Sequence, residues 1–108
     1  PLQDMTKPLT DNPVIRLWRD VFRSFGVDPS SYASSVEALA RRSRNGNLPT
    51  ISPFVDLYNF ASVLRLIPMG GYDLEKIRGD VIELRHGQER GDSIRPIGAK
   101  SDMVVQPN

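Results

Sequence analysis

Three polar side chains and a glycine pair are the residues of this chain whose types and spacing invite chemistry. Ser52, Asp56 and Asn59 sit in a mostly apolar stretch, residues 48–66. At about 3.6 residues per helical turn they fall within roughly a 60° arc. A helix apolar on nearly all other sides is expected to be buried. A buried carboxylate or carboxamide must be bonded to something. Asp56 and Asn59 therefore either hold a neighbouring loop or face a polar pocket. For Asp56 the first role is favoured, as an acceptor of backbone N–H groups. Asn59 is balanced between bridging two segments and lining a pocket. Ser52, directly before Pro53, reads as a helix N-cap. The stretch runs on into Pro68-Met69-Gly70-Gly71-Tyr72-Asp73. On its own the Gly70-Gly71 pair is a tight turn that needs positive φ.

Other chemistry finds little support. There is no Cys, so there is neither a disulfide frame nor a thiolate. His86 is the single histidine, at a strand end beside Gly87, so a metal site is not expected and no cofactor is implied. No nucleophile triad can be assembled, and no phosphate-loop or dinucleotide fingerprint occurs. Trp18, Phe22 and Phe25 share an apolar helix face and read as core, not as a base-stacking platform.

These residues need elements to position them. The chain has 108 residues, 39% apolar and 25% charged, with net charge +1. That is one small globular domain with no strong overall field toward nucleic acid or membrane. The basic residues are mostly Arg, which suits phosphate and carboxylate contacts. No apolar run approaches the roughly 20 residues of a membrane span, and no signal peptide is visible. A cytoplasmic location is the expectation. The chain opens at Pro1 rather than Met, which points to a processed, trimmed or partly observed product. Residues 1–11 form a polar segment with two prolines. Asn12-Pro13 starts a first helix, with Val14, Leu17, Trp18, Val21, Phe22 and Phe25 at helical spacing and Gly26 at its end. Arg16, Arg19, Asp20 and Arg23 take the other face. Ser34-Ser35-Val36-Glu37 is a capping box for a second helix, with Val36, Leu39 and Ala40 apolar and Arg41, Arg42 and Arg44 in its last turn. Ser52-Pro53 opens the third. Asp73 can cap one further turn, residues 74–77. Residues 80–85 alternate as a strand with one wet face, residues 87–92 read as a hairpin-like loop, and residues 93–97 and 103–105 as further short strands. The expected fold is α+β, with helices packed on a small mixed or antiparallel sheet. Two or three short strands make a weak sheet, so more strands are expected in another chain or outside these residues.

The central stretch resembles the tRNA-editing domain of the phenylalanyl-tRNA synthetase beta chain, and its freestanding, trans-acting relatives more closely still. The resemblance is carried by Ile51-Ser52-Pro53-Phe54-Val55-Asp56-Leu57-Tyr58-Asn59, then Pro68-Met69-Gly70-Gly71-Tyr72-Asp73, then Gly79-Asp80-Val81-Ile82-Glu83-Leu84-Arg85. It covers residues 12–108, which would make them an incomplete editing-like α+β domain. Gly70 stands where the synthetase carries a pocket His, and Tyr58 where it usually carries Thr. The family's domain is about twice this length, and its further strands, a carboxylate and a Trp/Arg-rich segment would lie beyond residues 1–108.

The resemblance implies an aminoacyl-tRNA ester hydrolase that deacylates mischarged tRNA in trans. Such an ester is already activated, so a site can position a water and stabilise the developing oxyanion. Backbone N–H groups at Gly70 and Gly71 become candidates for that task. Asn59, Asp56, Met69 and Tyr72 become pocket candidates. Arg41, Arg42 and Arg44 become candidates for tRNA phosphates, against the plainer reading of a solvated helix end that suits its own dipole. The implied partners are aminoacyl-tRNA and the remaining part of the domain, in the same or another chain, completing the sheet. Two rivals stand beside this reading. One is a non-catalytic module on the same fold that holds a small amino-acid-like ligand or a tRNA end. The other is a helix-turn-helix binder built from the first two helices, disfavoured because the second helix ends in its arginines instead of beginning with them.

Overall fold

The computed structural model describes residues 6–85, 87, 91–96 and 99–105. The chain divides into two compact units, Pro1–Asp73 and Leu74–Asn108. Among the described residues there are three α-helices and a small two-stranded antiparallel sheet, so the protein is α+β.

In the first unit a 3-10 turn at Leu9–Asp11 precedes helix α1, Pro13–Ser24. Leu9 packs against the core, so the polar segment is anchored at this point. Asn12 caps α1: its Oδ1 accepts the N–H of Val14 at 2.9 Å and of Ile15 at 3.3 Å. At the other end Gly26 takes φ +82°. Gly26 N–H donates to Arg23 O and Val27 N–H to Phe22 O, the paired bonds of a glycine C-terminal cap.

The face that α1 buries differs from the expected one. Ile15 is fully buried and Trp18 packs beside it, whereas Leu17 and Phe25 are exposed. The reason is electrostatic. Arg19 is turned inward, and its Nη1 donates to Glu37 Oε1 at 2.9 Å and Oε2 at 3.2 Å. Glu37 lies on α2, Ser35–Arg44, and is 1% exposed. Arg41 Nη2 donates to the same carboxylate at 3.0 Å. The expected capping box is thus half formed. Ser34 Oγ accepts Glu37 N–H, but the Glu37 side chain is directed to the two arginines. A buried carboxylate must be neutralised by close partners, and this need sets the roll of α1.

Helix α3, Pro53–Arg65, is the larger departure. Its N-cap is as expected, with Ser52 Oγ accepting Val55 N–H at 3.4 Å. It is not buried all round. Its inner face carries Val55, Asn59, Ser62 and then Leu66, while Phe54 is 83% exposed and Leu57, Phe60 and Leu64 are exposed with it. The buried core, Ile15, Val36, Ala40 and Leu66, is small and uses few side chains of α3.

Leu66 ends α3 in the left-handed region, φ 53° and ψ 42°, without being glycine. Its side chain is fully buried. A left-handed non-glycine residue costs roughly 1–2 kcal/mol, and burying a leucine side chain returns about as much or more. The exit is also tied by side chains. Trp18 Nε1 donates to Leu66 O at 3.0 Å, and Ser62 Oγ donates to Ile67 O at 2.6 Å.

In the second unit, a 3-10 turn at Leu74–Lys76 replaces the expected longer turn. Strand β1, Ser93–Ile94, pairs with β2, Met103–Val104, in register Ser93 with Val104 and Ile94 with Met103. Arg95 Nε to Asp102 Oδ1, 2.7 Å, closes the hairpin side. Residues 80–85 are not a strand. Both sets of alternating side chains, including Val81, Ile82 and Leu84, are exposed, so among the described residues neither a partner strand nor a covering layer fixes the pattern. Arg85 instead forms a two-point ion pair with Asp92, 2.7 and 2.8 Å. Part of the expected loop at 87–92, with His86 and Ile97, lies outside the described residues.

Candidate functional site

The first half of α3 and the segment after its exit enclose a half-open groove. Ser52, Phe54, Val55, Leu57 and Tyr58 form one side, and Gly71, Tyr72 and Asp73 the other, around a volume of about 770 Å³. It is mostly apolar, and of the described residues that line it Ser52, Tyr58, Tyr72 and Asp73 carry polar side chains.

Gly71 is the joint of this groove. A Cβ placed there would stand 3.1 Å from Tyr58 Cε1. Glycine is needed because the Tyr58 ring packs on the backbone, not because of positive φ, which neither Gly70 nor Gly71 adopts. The expected turn geometry is therefore corrected. Gly70 has open space where a side chain would be. Neither glycine's N–H is bonded to another described residue, and of the two only Gly71 lines the groove. The segment is placed by the tied exit of α3, since Trp18 and Ser62 hold the two carbonyls just ahead of Pro68.

The other sequence-derived positions separate. Tyr72 and Gly71 line the groove, whereas Asn59, Asp56, Met69 and Gly70 are not among its lining residues. Asp56 Oδ1 accepts Ile51 N–H at 2.8 Å and holds the loop that leads into α3. Asn59 is 7% exposed on the inner face of α3. Arg41 and Arg44 line a separate recess of about 380 Å³ with Pro8, Leu9, Thr10 and Asn45. Arg44 Nη2 donates to Lys7 O at 2.7 Å, while Arg42 is exposed and outside the recess.

Sequence reasoning missed Phe54, Val55, Leu57, Tyr58 and Asp73 as groove residues, and Trp18 and Glu37 as the groups that place the helices. Tyr58 meets Gly71 across 13 positions, a contact that no local pattern encodes. For Glu37, a clue was present: an acid four residues before Arg41 on an otherwise apolar face.

An α+β domain with an open, largely apolar groove at the exit of its third helix is the class these features define. The chain belongs to the B3/4 domain family, whose model matches residues 17–108. That family occurs in the editing region of the phenylalanyl-tRNA synthetase beta chain, where it is associated with tRNA binding and editing. No curated protein and no solved structure matches the chain. No helix among the described residues is long and apolar enough to cross a membrane.

Proposed function

We propose that this domain removes the amino acid from mischarged tRNA in trans, as an aminoacyl-ester hydrolase acting in the cytoplasm. The groove between α3 and Tyr72 receives the aminoacyl end. The observation that carries this reading is a mostly apolar groove lined by Gly71, whose N–H, like that of Gly70 next to it in the chain, is bonded to no other described residue. Two preorganised backbone donors can hold the oxyanion that forms when water attacks the ester carbonyl. The water enters through the open side. Tyr58 and Tyr72 wall the amino-acid side chain, and Met69, Asp56 and Asn59 support the wall from behind. Arg41 and Arg44 in their recess, with Arg42 beside it, hold tRNA phosphates. The partners are aminoacyl-tRNA and a further part of the domain, in the same or another chain, that completes the sheet and covers the apolar side of α3. Residues 12–108 then form one portion of an editing-type domain.

The test is deacylation of a panel of mischarged tRNAs. The expected result is release of at least one amino acid, slowed at least tenfold by Gly71→Val, which closes the joint against Tyr58. Release from none of them contradicts hydrolysis. A second reading, a non-catalytic module that binds the same end, is favoured by one observation: the described residues lining the groove include neither an imidazole nor a cation. Saturable binding of the aminoacyl end without turnover selects it.

A further inference from the structure

Resting on the groove as the seat of the aminoacyl end, we infer that Trp18 is a positioning residue for that seat: through its indole N–H, helix α1 sets the affinity of a groove to which it contributes none of the described lining residues. Trp18 is half-buried against the core, and its Nε1 donates to Leu66 O at 3.0 Å. Its neighbour in the chain, Arg19, is drawn to Glu37 and fixes the roll of α1 that brings the indole to this carbonyl. The acceptor belongs to the residue that turns the chain out of α3. Leu66 stands at φ 53° and ψ 42°, a conformation that a leucine keeps only where its surroundings over-determine it. The buried side chain anchors one part of Leu66, and the indole anchors its carbonyl. The next carbonyl, Ile67 O, accepts the Ser62 hydroxyl at 2.6 Å. Past these two bonds the chain has few holds. No backbone hydrogen bond between described residues fixes residues 68–72, and Gly71 is packed against the Tyr58 ring. Pro68 has a locked φ, and the chain from Ile67 to Gly71 spans at most about 14 Å. A rotation at Leu66 therefore swings Gly71 and Tyr72, both of which line the groove. Without the indole N–H the left-handed turn loses a restraint, and the wall is in place in only a fraction of the molecules. Apparent affinity falls by that fraction.

Trp18 is the single tryptophan, so growth on a tryptophan analogue alters this position alone. 3-Benzothienylalanine keeps the bicyclic shape and puts sulfur in place of the N–H, whereas 5-fluorotryptophan keeps the N–H. Two readings are taken on the full chain by NMR. The first needs no ligand. The Gly71 α-protons, packed against the Tyr58 ring, are expected at ring-shifted positions in the unaltered and fluorinated proteins and nearer ordinary glycine positions in the sulfur protein. The second is the affinity for 3′-(phenylalanylamino)adenosine. It is expected to fall about fivefold with sulfur, the factor of one neutral hydrogen bond, and to be unchanged with fluorine. Asn12→Ala removes the cap of α1 at a comparable cost in stability and leaves the indole in place, so it is expected to move neither reading. Unmoved Gly71 protons in a folded sulfur protein overturn the inference, as does an affinity within twofold of the unaltered one. Asn12→Ala moving both readings as far as sulfur does overturns it too, because destabilisation alone then accounts for the effect. If the protons move but the analogue binds neither protein, the tether of the wall to α1 stands and the aminoacyl reading fails. If the analogue binds the unaltered protein and neither reading responds to sulfur, the tether fails and the seat stands.

Discussion

Glu37 shows how one residue decides the placement of two helices. Its carboxylate is buried between Arg19, itself 13% exposed, and the more open Arg41. Desolvation makes such a cluster a poor source of net stability, but removing one member strands the others. Glu37→Ala is expected to lower stability by about 3 kcal/mol in urea unfolding, with a change under 1 kcal/mol counting against the cluster. Asp28 acts more weakly and through pH. Its carboxylate accepts Ser30 N–H and the Ser31 hydroxyl, and these bonds, the Ser30 one first, hold its pKa below the ordinary carboxylate value. A pKa depressed by folding adds stability that is complete above the unfolded value of about 3.9 and is lost as pH falls through the lower folded value. Asp28→Asn should therefore leave a shallower acid limb in a plot of melting temperature against pH below about 4, and an unchanged slope there would contradict the assignment.

At the scale of elements, the helices were legible where capping chemistry is local. Asn12, Ser34 and Ser52 each sit one residue before a helix and accept its first N–H groups, and Gly26 and Gly46 close α1 and α2 at positive φ. The faces were less legible, because a helical period gives spacing but not roll. Arg19 on the inner side of α1 and Ser62 on that of α3 are tertiary choices set by Glu37 and by the Ile67 carbonyl. Residues 80–85 carry a strand's alternation without a strand's neighbours among the described residues, and the pattern alone could not reveal that. Of the site, the glycine corner and Tyr72 could be read from sequence, whereas Tyr58 and Asp73 needed the fold. The exit of α3 makes a sharp prediction. Leu66→Ala loses buried area and keeps the left-handed strain, for a loss of about 3 kcal/mol. Leu66→Gly loses the same side chain but relieves roughly 1 kcal/mol of strain. Glycine should therefore be the more stable of the two by thermal melting, the reverse of the order inside a helix. The outer side of α3 gives the opposite test: Phe60→Gln and Leu64→Lys should each shift stability by no more than about 0.5 kcal/mol. Losses of several kcal/mol would mean that this face is packed within the chain.

The whole molecule divides the labour between two recesses. A near-neutral chain, net charge +1, keeps a largely apolar groove apart from an arginine recess, and its exposed apolar helix face offers area for association. The family links the domain to tRNA, and the groove gives that link a place. The most direct measurement is a titration of the isotopically labelled protein with 3′-(phenylalanylamino)adenosine, in which an amide replaces the labile ester. The account predicts that the amide resonances of Val55, Leu57, Tyr58, Gly71 and Tyr72 shift together along one saturating curve. Saturation with those five unmoved, and the shifts confined to other parts of the chain, would contradict it.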